Sequence, residues 1–172
     1  MAENRELILK TAGELFRARG FDAVGVAEVM NAAGFTHGGF YGHFKSKDDL
    51  IAQTLTYLLA KSNPNFEFKS FVDRYLSPDH RDNVARGCPT AALAAATRQQ
   101  SAATRKALTA AMNGHFDNLA KKVGGKRAAE RRRSAIGSWS AMLGALILSR
   151  AVNDPDLADE ILNETRLWIA SS

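Results

Sequence analysis

The sequence of 172 residues has a single cysteine, four prolines and no long hydrophobic run. Because Cys88 has no second cysteine to pair with, no disulfide can form within the chain, and we expect a reducing, cytoplasmic location. The longest apolar stretch, residues 141–148, is far too short to cross a bilayer, so we predict no membrane segment. The charged N-terminus lacks the apolar core of a signal peptide. These absences lead us to expect a globular protein of the cytoplasm.

Strand signals and catalytic motifs are also scarce. No run of alternating β-branched residues ends in a hairpin dipeptide, which favours an all-α fold. The sequence contains no nucleophile elbow, glycine-rich phosphate loop or His-Glu-x-x-His motif, so we predict no catalytic residue, no cofactor and no enzymatic activity. The four histidines lack the spacing of metal ligands, which argues against a metal site.

The net charge of +5 suggests an anionic partner, but the charge is unevenly distributed. Residues 1–61 contain seven basic and seven acidic side chains, whereas residues 98–133 contain ten basic and two acidic ones. The overall charge therefore does not identify the segment that contacts such a partner. The basic stretch is either a solvated surface or an additional contact with an anionic ligand or DNA.

Apolar residues recur at helical spacing along the chain. Ile8, Ala12 and Phe16 form one face of a first helix, which Gly20 is expected to end. Thr36 is expected to cap a third, short helix. The Asn-Pro-Asn sequence at residues 63–65 predicts a boundary. The predicted helices, about nine in all, span roughly residues 4–19, 26–33, 37–44, 46–61, 66–76, 89–98, 102–123, 126–152 and 155–170.

The second and third predicted helices, separated by Gly-Phe at residues 34–35, have the arrangement of a helix-turn-helix. The second helix of that motif normally lies in the major groove. Here it contains three glycines between residues 38 and 42, each costing about 1 kcal/mol relative to alanine. Close approach of the backbone to a phosphate-sugar strand is one use for absent side chains. The alternative is that Tyr41 and His43 merely cap a small core. Donors suited to phosphate oxygens are Thr36, His37, Tyr41, His43 and Lys47.

The segment 5–55 resembles the DNA-binding domain of TetR/AcrR-family repressors. The resemblance rests on Gly-Phe-Asp-Ala-Val-Gly-Val at residues 20–26 and on the run from Ala-Gly-Phe-Thr to Lys-Asp-Asp-Leu at residues 33–50. It implies a helix-turn-helix domain over residues 1–46 and a helical ligand-binding and dimerisation domain over residues 47–172. The contacts that it implies are with the DNA backbone for Tyr41, His43 and Lys47, and with phosphates and bases for Thr36, His37, Gly38 and Gly39.

The second half of the segment 126–152 is apolar on nearly every side, so more than one side must be buried. A second subunit is one source of that cover, and the resemblance implies a homodimer in which the last two helices pair with their symmetry mates. A purely intramolecular core is the alternative. The predicted interface residues are Ile136, Trp139, Leu143, Ile147, Ile161 and Trp168. Such a dimer would bind double-stranded DNA at an inverted-repeat operator, as a repressor that an unknown small-molecule inducer releases.

The resemblance also places an inducer pocket among the helices from about residue 47 to 123. The residues expected to line it are Tyr57, Phe66, Phe71, Tyr75, Met112 and Phe116, although each also fits a core. Cys88 lies in a Gly-Cys-Pro sequence, which a subset of the family shares, at a predicted helix start that favours a thiolate. It is either a sensor of oxidants or electrophiles or a small residue in a tight helix entry. A regulator acting through Cys88, and a helical small-molecule-binding or enzymatic domain without DNA binding, are the alternative functions.

Overall fold

The computed structural model describes residues 2–60 and 66–171, and every regular element within those ranges is a helix. The all-α prediction is therefore confirmed. The boundary predicted at residues 63–65 lies outside the described residues. The elements are α1 (Ala2–Arg19), α2 (Val26–Ala32), a 3₁₀ helix (His37–Gly42), α3 (Lys47–Ala60), α4 (Phe68–Tyr75), α5 (Pro78–Asp82), α6 (Pro89–Thr97), α7 (Ala102–Leu119), α8 (Ala128–Ala151) and α9 (Pro155–Ser171).

The first structural unit consists of residues up to 60 and residues 88–111. The predicted face of α1 is confirmed, because Ile8, Ala12 and Phe16 are fully buried. Gly20 ends α1 with a backbone φ of +82°, and its N–H donates to the carbonyl of Phe16 at 2.7 Å. That left-handed conformation favours glycine. The core of this unit contains Ile8, Leu9, Ala12, Phe16, Phe21, Val24, Val29, Met30, Phe40, Phe44, Leu50, Ile51, Leu55 and Leu93.

The second structural unit consists of residues 66–87 and 112–171. Helices α8 and α9 form its most extensive packing, and residues 152–154 link them. Asp154 caps α9, since its Oδ1 accepts from the backbone N–H of Asp156 at 3.0 Å and of Leu157 at 3.3 Å. The larger buried side chains include Val72, Tyr75, Leu76, Leu119, Trp139, Met142, Leu146, Leu162 and Ile169. The predicted boundary after residue 46, between a DNA-binding and a ligand-binding domain, is not tested by these two structural units and stays a prediction.

Two local predictions were wrong. The helix expected over residues 37–44 is a 3₁₀ helix that ends at Gly42, and the Thr36 side chain makes no capping hydrogen bond to it. The short helix α5 was not predicted: α4 ends at Tyr75, and the new helix begins at Pro78. Ser77 Oγ accepts from the N–H of His80 at 3.2 Å, and proline at the first helical position suits a helix start as well as a stop.

No helix of the described residues is long and apolar enough to span a membrane.

Candidate nucleic-acid interface

The turn between α2 and the 3₁₀ helix is built by backbone hydrogen bonds around Gly34. Gly34 has a φ of +82°, and its N–H donates to the carbonyl of Asn31 at 3.0 Å. The next N–H, of Phe35, donates to the carbonyl of Met30 at 2.8 Å. These bonds close the end of α2 and turn the chain into the 3₁₀ helix. The predicted helix-turn-helix arrangement is therefore present, with a tighter second helix than expected.

Two buried aromatic side chains hold the 3₁₀ helix against the first unit. Phe40 and Phe44 are almost fully buried, and their rings stack with centroids 5.6 Å apart. The guanidinium of Arg5 lies 5.7 Å from the centre of the Phe44 ring. Because burial of a phenylalanine contributes about 1.5–3 kcal/mol, these two side chains anchor the segment firmly. The residues between and before them are thereby turned outward.

The side chains predicted to contact DNA lie at the surface to different degrees. Tyr41 is 71% exposed and meets the buried Phe40 only edge to face, at 5.3 Å between ring centroids. His43 and Lys47 are half-buried. The His43 ring lies against Phe35, with centroids 6.3 Å apart. The exposed predicted residues are Thr36, His37, Gly38, Gly39 and Tyr41. The structure tests none of the predicted DNA contacts, but none of these residues is buried in the core.

Nothing in the described structure requires glycine at the three glycine positions of the 3₁₀ helix. A Cβ atom added to Gly38 or Gly42 would have no neighbour within 4 Å, and at Gly39 the nearest atoms would be 3.8 Å away. None of the three has a positive φ. Gly87 is the contrast, since a Cβ there would lie 2.8 Å from the carbonyl oxygen of Asn83. The fold thus explains Gly87 and leaves the exposed glycines unexplained.

The start of α3 is fixed by a variant of the capping box, with aspartate in place of the usual glutamate. The hydroxyl of Ser46 accepts from the N–H of Asp49 at 3.1 Å, and the Asp49 carboxylate accepts from the N–H of Lys45 at 2.9 Å. A hydrogen bond from the Gln53 side chain and the one from Lys45 lower the pKa of Asp49, so this carboxyl stays charged. These bonds position Lys47 in the first turn of α3.

The predicted inducer-site residues divide between the two units. Phe66, Phe71 and Tyr75 form a chain of ring contacts in the second unit, with neighbouring centroids 4.7 and 5.8 Å apart. Tyr57 belongs to the first unit, where its hydroxyl donates to the Glu6 carboxylate at 3.1 Å. The half-buried Met112 and Phe116 belong to the second unit.

Two further residues join the aromatic side chains of the second unit, and the sequence analysis placed neither of them there. Trp139, predicted at the dimer surface, is only 6% exposed and packs against Tyr75 at 5.2 Å and Phe71 at 6.3 Å between centroids. His115, considered only as a metal ligand, lies 4.1 Å from Trp139 between centroids. Burial lowers the pKa of His115, so its imidazole is neutral at neutral pH. Their spacing in the sequence gave no signal, because they are 24 positions apart on different helices.

The other predicted interface residues lie at or near the surface of the second unit. Ile147 and Trp168 are 43% and 57% exposed, and Ile136 is also exposed. Leu143 and Ile161 are half-buried. Large apolar side chains at the surface of a single subunit are typical of a surface that another molecule covers. Further exposed large apolar side chains on α8 and α9 are Leu148, Leu157 and Leu167.

Cys88 occupies the predicted position at the start of α6, but its side chain does not cap the helix. It is half-buried, and the charged Arg17 lies close enough to interact with it electrostatically. Desolvation lowers the pKa of Arg17, and Glu14 and Cys88 act against that shift. A sensing role for this thiol stays a prediction. Among the described residues, no group of three or more His, Cys, Asp or Glu side chains is placed to hold a metal ion.

Residues 8–54 match the family model of the bacterial regulatory proteins of the tetR family. A segment of 62 residues is 39% identical to the uncharacterized HTH-type transcriptional regulator YerO of Bacillus subtilis, covering 36% of this chain and 22% of that protein. The chain matches about a quarter of the length of the curated relatives that resemble it in this segment.

Solved structures resemble the chain over nearly all of its length. A TetR-family transcriptional regulator from Agrobacterium tumefaciens has a TM-score of 0.76 at 18% identity, with 98% of each chain covered. AibR, solved in complex with isovaleryl coenzyme A and operator DNA, has a TM-score of 0.62 at 18% identity, with 95% of this chain and 96% of AibR covered. At such identities the likeness concerns the fold. The sequence match concerns residues 8–54, which are similar to the bacterial regulatory proteins of the tetR family.

Proposed function

We propose that the protein is a homodimeric transcriptional repressor that binds an inverted-repeat operator through the surface formed by residues 36–47. The observation that carries this proposal is the set of exposed glycines in the 3₁₀ helix. Their backbone conformation is open to any residue and their Cβ positions are unobstructed, so packing within the subunit gives no reason for glycine. A surface without side chains lets another backbone approach closely, as the phosphate-sugar strand of DNA does in this motif.

The polar groups beside the glycines suit that partner. Tyr41 presents a hydroxyl at the surface, and Lys47 carries a positive charge in the first turn of α3. Hydroxyl and ammonium groups of this kind donate to phosphate oxygens and fix the register of a protein on the duplex. The net charge of residues 1–61 is zero, so binding depends on these placed contacts more than on bulk charge. We infer that Lys47 contributes one phosphate contact per subunit.

Dimerisation and ligand response complete the proposal. The exposed apolar side chains of α8 and α9, Ile147 and Trp168 among them, supply a surface for a two-fold partner. Two subunits would present two 3₁₀ helices, and the operator would carry matching half-sites. AibR, a protein of similar fold, has been solved with a coenzyme A thioester and operator DNA together. We infer that here too a ligand of the second unit shifts the population between a DNA-binding and a released state.

A gel-shift series tests the proposal. DNA fragments from the region around the protein's own gene are expected to be shifted, and the shortest shifted fragment should contain an inverted repeat. The Lys47→Gln variant should bind more weakly, and its plot of log affinity against log salt should be shallower by about 0.9 per subunit. Lys10→Gln, at an exposed lysine of α1, is the matched control and should keep the wild-type slope. If no fragment is shifted, or if Lys47→Gln and Lys10→Gln behave alike, the proposed interface is wrong.

A further inference from the structure

The second unit contains an aromatic cluster whose members come from α4, α7 and α8, with Phe66 just before α4. Its closest pair is His115 and Trp139, with ring centroids 4.1 Å apart, and Tyr75 meets Trp139 at 5.2 Å. Phe66 and Phe71 extend the cluster, with centroids 4.7 Å apart. Offset and edge-on contacts of this kind form surfaces that bind flat rings well. The aromatic cluster consists of Phe66, Phe71, Tyr75, His115, Phe116 and Trp139.

Two polar atoms inside the aromatic cluster lack a hydrogen-bond partner among the described residues. They are the indole Nε1 of Trp139 and the imidazole Nε2 of His115, and both are shielded from solvent. An indole N–H can only donate, so it needs an acceptor, and the described part of the chain offers it none. Buried polar groups are normally satisfied, and orphaned ones often mark a site completed by another molecule. Two such atoms on rings in direct contact indicate one shared site.

The charges around the aromatic cluster limit what that molecule can be. None of its six members is a carboxylate, so a buried cation would find no opposite charge within it. Two cationic side chains already lie over its rings, Lys122 at 5.8 Å from the centre of Phe66 and Arg132 at 5.9 Å from that of Phe116. The Asp117 carboxylate is occupied by Arg132 at 2.6 Å. The surroundings therefore disfavour a cationic aromatic ligand.

We propose that the aromatic cluster binds an uncharged planar aromatic molecule carrying a hydrogen-bond acceptor, which receives the indole N–H of Trp139 and lies beside Nε2 of His115. The ligand's ring inserts between the side chains of the cluster and parts its half-buried edge at Phe66 and Phe116. The inference rests on the ligand response proposed above, since it names the chemistry of that ligand. It assigns Trp139 and His115 to ligand binding, in place of the dimer surface and the rejected metal site.

Three bicyclic probes of nearly equal shape test separately the need for a hydrogen-bond acceptor and the need for an uncharged ring. Quinoline offers a ring-nitrogen acceptor and is uncharged at neutral pH, naphthalene offers no acceptor, and N-methylquinolinium is a cation without an acceptor. Because one net hydrogen bond corresponds to about a tenfold change in affinity, quinoline should bind the full-length protein about tenfold more tightly than naphthalene. N-methylquinolinium should bind more weakly than either. Calorimetry or equilibrium dialysis without DNA provides the affinities.

The indole N–H resonances show which tryptophan is involved. The protein has two tryptophans, Trp139 in the aromatic cluster and the exposed Trp168, and so gives two indole signals in a proton–nitrogen correlation spectrum. Quinoline should move the Trp139 signal downfield, as hydrogen bonding does, and leave that of Trp168 in place. Trp139→Phe assigns the signals, keeps an aromatic ring, and should reduce the quinoline preference over naphthalene from about tenfold to about onefold. If that variant does not fold, Trp168→Phe, at the exposed tryptophan, assigns the two signals, and the wild-type spectrum still provides the test.

Several results would overturn the inference. They are equal binding of quinoline and naphthalene by the wild-type protein, tighter binding of N-methylquinolinium, and a quinoline-induced shift confined to Trp168. Because these measurements contain no DNA, their failure leaves the proposed DNA interface untouched. Conversely, a protein that binds quinoline through Trp139 but shifts no DNA fragment would refute the proposed repressor while supporting this ligand site.

Discussion

Replacing Gly38 and Gly42 together by alanine should make the protein more stable and a poorer DNA binder. Glycine inside a helix costs about 0.5–1 kcal/mol relative to alanine, and neither added Cβ meets an atom within 4 Å. The double variant should therefore gain about 1–2 kcal/mol in free energy of unfolding. For a chain of this size that gain corresponds to a rise in Tm of roughly 2–8 °C. The two new methyl groups would stand between the 3₁₀ helix and the DNA backbone, so operator affinity should fall at least about tenfold, or about 1.4 kcal/mol.

Two measurements on the same samples test this opposition. Urea unfolding followed by circular dichroism gives the stability, and fluorescence anisotropy with a labelled operator fragment at fixed salt gives the affinity. Gly114→Ala in α7 is the matched control, because its Cβ is equally unobstructed. It should add about 0.5–1 kcal/mol to the free energy of unfolding and leave DNA affinity unchanged. A double variant with wild-type affinity would refute the reasoning, because the glycines would then serve no approaching backbone.

Three further predictions concern the second unit and its surface. Ile147→Arg should convert the dimer to monomers in sedimentation experiments while the chain stays folded. Leu7→Arg, at a similarly exposed residue of the first unit, should leave the dimer intact. If both variants remain dimers, the proposed dimer surface is wrong. Desolvation lowers the pKa values of His80 and His115 from 6.5, so below that pH the unfolded chain binds protons that the folded chain does not. The free energy of unfolding should fall between pH 6.5 and 5, by at most about 1.4 kcal/mol per pH unit for each histidine, and replacing both with Gln should flatten that decline; an unchanged slope would exclude them as its cause. Asp154→Ala should cost about 1 kcal/mol in a urea melt through loss of the α9 cap, whereas Asp154→Asn, which keeps the acceptor, should cost only a few tenths, and equal losses would rule out capping.

The sequence by itself determined the local features whose causes lie within a few residues. Ile8, Ala12 and Phe16 repeat at the period of one helix turn, and all three are fully buried as that period requires. Gly20 was predicted to end the first helix and Gly34 to separate the second from the third, and both adopt the left-handed conformation that favours glycine. The outward position of Tyr41 follows equally from the apolar pair around it, since Phe40 and Phe44 occupy the inner side. Such features need no knowledge of distant contacts.

Only the tertiary structure decided which parts of the apolar helices meet which partners. The second half of the helix containing Trp139 is apolar on nearly every side, so its periodicity could not separate the inner side from the outer one. The rings of Phe71 and Tyr75, more than sixty positions away, draw Trp139 inward, and Trp168 stays at the surface. The pairing of Trp139 with His115 was equally invisible, because contacts between distant helices depend on how whole surfaces pack, and no spacing within one segment encodes that packing.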